Sequence, residues 1–136
     1  DVKRADYRTD AIHEIQLTST GGLNDELFHD FESPPIALFT HQDHVFTVPK
    51  TGSLMLEVIA SAPHTPIVAV RVIDENGNNT KAWGIQFHPE ASKLRIQRSV
   101  NLGHITQEEA LVFSREHDGP QILHNFAKVV IEHTLK

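Results

Sequence analysis

The sequence predicts part of an α/β domain, with strands first and helices last. Three observations carry this expectation. Branched and aromatic residues concentrate between Ile36 and His88, Asn76-Gly77 is a strong hairpin signal between two of those runs, and helical texture begins only after Pro89. The 136 residues suffice for one domain and not for two ordinary ones. Such an order of elements in so short a chain is that of a partial domain, with its other part expected upstream of Asp1.

Residues 1–10 are polar and mixed in charge without an apolar period, and are expected to be a lead-in or a frayed end. Residues 11–92 are expected to form the sheet and residues 93–136 a helical end. Ile12 to Thr18 alternates Ile15 and Leu17 and reads as a strand stopped by Gly21-Gly22. Asn24 is suited to cap a short helical turn bearing Leu27, Phe28 and Phe31, which Ser33-Pro34-Pro35 ends because proline does not continue a helix. Ile36 to Phe39 is a brief buried strand running into a polar corner at residues 41–44. Ser53 to Ala62 and Ile67 to Ile73 follow as strands. Past the turn at residues 74–79, Lys81 to His88 returns with Trp83, Ile85 and Phe87 on one face. Thr106 and Glu109 form a capping-box pattern for a helix to His117, whose charged residues read as a solvated face. Gly119-Pro120 opens a last helix carrying Ile122, Leu123, Phe126, Val129 and Val130.

Composition narrows the function. Eighteen acidic against twelve basic residues give a net charge of −6, which weighs against nucleic acid as the main partner. No apolar run approaches the ~18 residues of a membrane helix, and no stretch reads as a signal peptide, so a cytoplasmic protein is expected. Cysteine is absent, so this chain supplies no disulfide, thiolate metal site or cysteine nucleophile.

The sharpest chemical signal is Gly84-Ile-Gln-Phe-His-Pro-Glu90. Pro89 pushes His88 toward extended geometry, in which residues two apart project to the same side, so His88 and Glu90 can share a pocket. A carboxylate beside an imidazole selects its tautomer and stabilises its protonated form, as in the base and orienter of a nucleophilic triad. On spacing alone the alternative stays open of a surface histidine in a proline turn with an exposed glutamate nearby.

Trp83-Gly-Ile-Gln-Phe-His-Pro-Glu90 closely resembles the C-terminal signature of class I (triad-type) glutamine amidotransferases. Thr40-His-Gln-Asp-His-Val-Phe46 and Val48-Pro49-Lys-Thr-Gly52 resemble the polar corner and proline–glycine step of that family. The likeness covers about residues 10–92 and is greatest to GMP-synthase-type domains. It implies a flavodoxin-like α/β fold with a central, mostly parallel sheet, an added β-hairpin and C-terminal helices. It implies hydrolysis of the glutamine side-chain amide through a thioester, without any cofactor, and delivery of the ammonia to a synthetase domain or subunit. His88 matches the general base and Glu90 the carboxylate that holds it. His41, Asp43, Val45 and Phe46 match a stretch lining the glutamine pocket, partly through backbone groups. For His41 and Asp43 a turn-stabilising role is an equal alternative.

The family's Gly-x-Cys-x-Gly elbow has no counterpart here, and Ser19-Thr-Gly-Gly, the nearest glycine-flanked hydroxyl, follows no apolar strand. The cysteine is therefore expected on an upstream segment or another chain. A partial domain also leaves an apolar sheet edge open, so either self-association as a homo-oligomer or chain missing from the structure is expected. Two rivals remain. One is a non-catalytic binding or regulatory module with the same fold. The other is a metal-dependent hydrolase using His41, Asp43, His44, His88 and Glu90, although no trusted metal spacing occurs. His13, His29, His64, His117, His124 and His133 are read as solvated, and Asn76 to Asn79 as a hairpin turn rather than a calcium loop.

Overall fold

The computed structural model describes residues 1–50 and 52–135. Thr51, within the Val48–Gly52 step, and Lys136, at the end of the helical segment, lie outside them. Among the described residues six strands form one sheet: β1 (Val2–Glu14), β2 (Gln16–Leu17), β3 (Ile36–Val45), β4 (Leu54–Ala62), β5 (Thr65–Asp74) and β6 (Asn79–Ile85). Their order is β1-β3-β5-β4-β2, with β6 also on β5. Every pairing is antiparallel, which corrects the mostly parallel sheet implied by the resemblance. The connections explain it. Only Pro63 and His64 separate β4 from β5, and only residues 75–78 separate β5 from β6, whereas a parallel pair needs a crossover of about a dozen residues. No helix lies between these strands to provide one: α1 (Lys93–Asn101), α2 (Gln107–Ala110) and α3 (Gly119–Thr134) all follow β6. The hairpin at Asn76-Gly77 is as expected. Asp74 Oδ1 accepts from the amides of Asn76 and Asn78, and Gly77 takes a φ of 80°.

Two further expectations need correction. Residues 1–10 are no frayed end: all but Asp1 belong to β1, paired with β3 from Val2↔Val45 to Glu14↔Ile36. Backbone bonds hold this edge strand while most of its side chains are exposed, so it has no apolar alternation to read. The supposed corner at residues 41–44 is the continuation of β3. The corresponding irregularity lies in β1, whose register shifts between Arg4 and Thr9, and Gln42 spans it by bonding Arg4 Nη2 and the Ala5 carbonyl.

The helical parts differ in detail. Asp25, not Asn24, caps the turn, because its carboxylate accepts from the Leu27 amide; the turn is a short 3-10 segment, Glu26–Phe28. The capping box at Thr106 and Glu109 starts α2, but after Ala110 the chain narrows to a 3-10 turn. Leu111 and Val112 are exposed there, so no buried face prolongs the helix.

The core gathers Ile15, Phe28, Phe39, Ile59, Val68 and Phe87 with Ile122 of α3. Of the apolar residues expected along that helix, Ile122 and Val129 are buried while Leu123, Phe126 and Val130 stay partly exposed. Asn125, on the buried face, donates to the carbonyls of Leu27 and His29 and ties α3 to the capped turn. Beneath that turn Arg71 of β5 is fully buried. It pairs with Asp25 at 2.8 Å, donates to the Thr80 carbonyl, and lies 4.1 Å from the centre of the Trp83 ring.

Candidate functional site

His88 is placed by a change of strand partner. β3 and β5 share one register pair, Val45 with Ile67. Past the end of β6 the amide of Gln86 bonds the Val68 carbonyl on β5, and the amide of His88 bonds the Leu38 carbonyl on β3, each at 2.9 Å. Phe87 between them is sunk into the core, which leaves His88 facing outward and about 40% exposed. Pro89 then turns the chain so that Glu90 Oε1 lies 2.9 Å from His88 Nδ1. Burial would raise the Glu90 carboxyl, but the His88 hydrogen bond, its own amide and the charges of His88 and Arg95 together hold it below its ordinary value. An ionised carboxylate only accepts, so Nδ1 carries the proton of the neutral ring and Nε2 offers a lone pair. That tautomer is the one a general base requires.

The turn is braced by the start of α3. His117 Nε2 donates to the Ala91 carbonyl at 2.7 Å, and His117 Nδ1 accepts from the Gly119 amide at 3.1 Å. Both nitrogens of the neutral ring are thus satisfied, so His117 is a structural strut rather than the solvated side chain expected. Asp118 exchanges two bonds with Ile36, its amide donating to the Ile36 carbonyl and its carboxylate accepting from the Ile36 amide, each 2.7 Å, and so fixes α3 to the start of β3. Gly119 packs against Pro89 so closely that a Cβ would sit 2.7 Å from the Pro89 Cα. Gly119→Ala is therefore expected to lower stability by about 1–3 kcal/mol, the usual cost of overpacking, and to shift the His88 ring resonances. A urea midpoint and ring resonances like those of the parent would show that α3 does not hold this turn.

The other residues expected at the site have diverse surroundings. His41 is buried, and its ring bonds the Asp43 carbonyl and His64 Nε2. His88 is among the charges that disfavour its protonation. The Asp43 side chain is exposed, and its residue sits opposite Arg4 of β1. Val45 lines an apolar cavity of about 180 Å3 with Val48, Leu56 and Ile67. Phe46 is partly exposed, stacked 6.3 Å from His44 with Lys3 over its ring. The residues that sequence reasoning missed are His117, His64 and Arg71. Gly119-Pro120 two positions on was a signal for the strut, since it placed a helix start beside His117. Among the described residues, no group of three or more His, Cys, Asp or Glu is arranged to hold a metal ion. No helix there is long and apolar enough to cross a membrane.

No family model matches the chain. Among solved structures, it is similar to a Thermoplasma acidophilum protein assigned as a GMP synthase subunit. The TM-score is 0.59 at 15% identity, over 98% of this chain and 50% of that one. It is also similar to the crystal structure of SMU.1228c, with a TM-score of 0.64 at 17% identity, over 96% of this chain and 56% of that one. At such identities the likeness is one of fold, α/β and GMP-synthase-like. The chain spans about half the length of each of these proteins.

Proposed function

We propose that this chain is the His/Glu-bearing portion of a class I glutamine amidotransferase domain of GMP-synthase type. The observation that carries the proposal is the 2.9 Å bond from His88 Nδ1 to Glu90, at the end of a strand in a fold of that type. The nucleophile is a cysteine thiol brought by an upstream segment or another chain, since this sequence contains no cysteine. His88 Nε2 takes the thiol proton as sulfur bonds the side-chain carbonyl carbon of glutamine. It returns that proton to the nitrogen as the C–N bond breaks and ammonia leaves. Water, deprotonated by the same nitrogen, then opens the thioester to glutamate and free thiol. Glu90 holds the ring and stabilises the imidazolium formed in each step. The end of β3 at His41, Asp43 and Val45, with Phe46 just beyond it, contributes to holding glutamine, and the ammonia passes to a synthetase domain or subunit.

The test is ammonia release from glutamine. The chain alone is expected to release none. Supplied with a docked segment bearing a glycine-flanked cysteine, it is expected to turn over. If such a complex forms and stays silent, the chain is a binding or regulatory module with an amidotransferase-like fold.

A further inference from the structure

Four histidines cluster where β1, β3 and the β4–β5 turn meet, three of them, His13, His41 and His64, against Phe39. Ring centres lie 4.9 Å apart for His41 and His44, 5.1 Å for His41 and His64, 5.4 Å for His13 and His64, and 5.7 Å for His44 and His64. His41 and His44 are buried; His13 and His64 are half-buried. The hydrogen-bond partners fix the protons. His41 Nδ1 lies 2.9 Å from the Asp43 carbonyl, which only accepts, so this nitrogen carries hydrogen. A neutral His41 then offers a bare Nε2, and His64 Nε2, 3.0 Å away, donates to it. That leaves His64 Nδ1 bare, and it is indeed buried without a partner, as is His44 Nε2.

The pair therefore accommodates one proton between its facing nitrogens. A second proton either sets two N–H groups against each other or leaves a buried Nδ1–H of His64 with no acceptor. We propose that His41 and His64 form an acid-operated latch, which closes the β4–β5 turn onto β3 while both rings are neutral and releases it when a second proton enters.

The charged and titratable groups facing the pair all oppose that proton. They are Arg8 and His13 from β1, His44 from β3, and His88 from the segment after β6. Asp43 contributes only its carbonyl, its side chain being exposed. Burial, reinforced by the neighbouring imidazoles His41, His13 and His44, pushes His64 down to about 4 from an ordinary value of 6.5; burial also leads the lowering of His41. A histidine lowered in the folded state binds fewer protons than the open chain. Closure is thus fully stable above about 6.5 and weakens as pH falls toward about 4. The latch stands on the ring geometry and not on the glutaminase reading. It does bear on the same site, because β3 supplies the carbonyl of Leu38 that holds the His88 amide.

The test is nitrogen-15 NMR of the histidine rings, with amide hydrogen exchange, on the full chain and on His64→Gln from neutral pH to about pH 4. Glutamine keeps a donor for His41 Nε2 and gains no proton. In the parent chain His64 should hold hydrogen on Nε2 and titrate near 4. Protection at Ala62 and Thr65, the pair that closes the turn, should fall about tenfold per pH unit below the ordinary histidine value, while α3 remains protected. In His64→Gln that acid dependence should shrink to the part that the buried His41 contributes. Titration of His64 near 6.5 overturns the latch, as does loss of α3 protection together with the turn, or acid opening as steep in His64→Gln as in the parent chain. Should that variant not fold, the ring titration of the parent chain decides by itself.

Discussion

In a complex reconstituted with a cysteine-bearing segment, His88→Ala is expected to lower the turnover of glutamine by about 10²–10⁴-fold, the contribution of a positioned acid–base group. The magnitude follows from the double use of Nε2, first as base toward the thiol and then as acid toward departing ammonia. Removing the ring removes both transfers without touching the fold, because His88 is about 40% exposed and its amide, not its ring, bonds β3. Glu90→Gln should cost less. An amide oxygen can still accept from Nδ1 and hold the tautomer, but it brings no charge to meet the imidazolium. The measurement is kcat for ammonia release, with the thermal melt of each variant alongside. Parent-like turnover in His88→Ala would remove this residue from the chemistry, whatever the fold resembles.

What was readable in the sequence is what local rules govern. Pro89 brings His88 and Glu90 together locally, but through a turn in which the Ala91 amide bonds the His88 carbonyl, not through the extended period-two spacing expected. Asn76-Gly77 announces its hairpin for the same reason, and Thr106 with Glu109 announces a helix start, though not the helix's length. What escaped depends on partners far along the chain. β1 shows no apolar period because its pairing with β3 is made by backbone groups about twenty to forty residues away. The buried state of His41 and His44 was illegible because an imidazole has both an aromatic body and a polar rim. Only the presence of Phe39 and His64 beside His41, and of Phe46 and His64 beside His44, makes burial favourable. The parallel sheet was carried over from the resemblance, and the short β4–β5 and β5–β6 connections, visible in the sequence, already argued against it for those strands.

Arg71 is the residue the sequence concealed most completely, and Asp25→Ala is expected to cost about 3–5 kcal/mol, the penalty for stranding one member of a buried ion pair. Asp25 Oδ2 meets the guanidinium at 2.8 Å, and Oδ1 accepts from both the Leu27 amide and Trp83 Nε1 at 2.9 Å. One carboxylate thus neutralises the charge, caps the Glu26–Phe28 turn and anchors the tryptophan on the strand that leads to His88. Glu26 also reaches Arg71, at 3.4 Å, but its side chain is about 42% exposed and shared with Lys81, so Glu26→Ala should cost about 0–1 kcal/mol. Against a total stability of about 5–15 kcal/mol for a domain, the first loss is severe and the second slight. Urea unfolding of both variants separates them. Adding Arg71→Met to Asp25→Ala should recover much of the loss, because no unpaired charge then remains inside. If Asp25→Ala costs no more than Glu26→Ala, the guanidinium is reached by water in solution. Its pairing with Asp25 then cannot be what holds Trp83, and through Trp83 the approach to His88, in place.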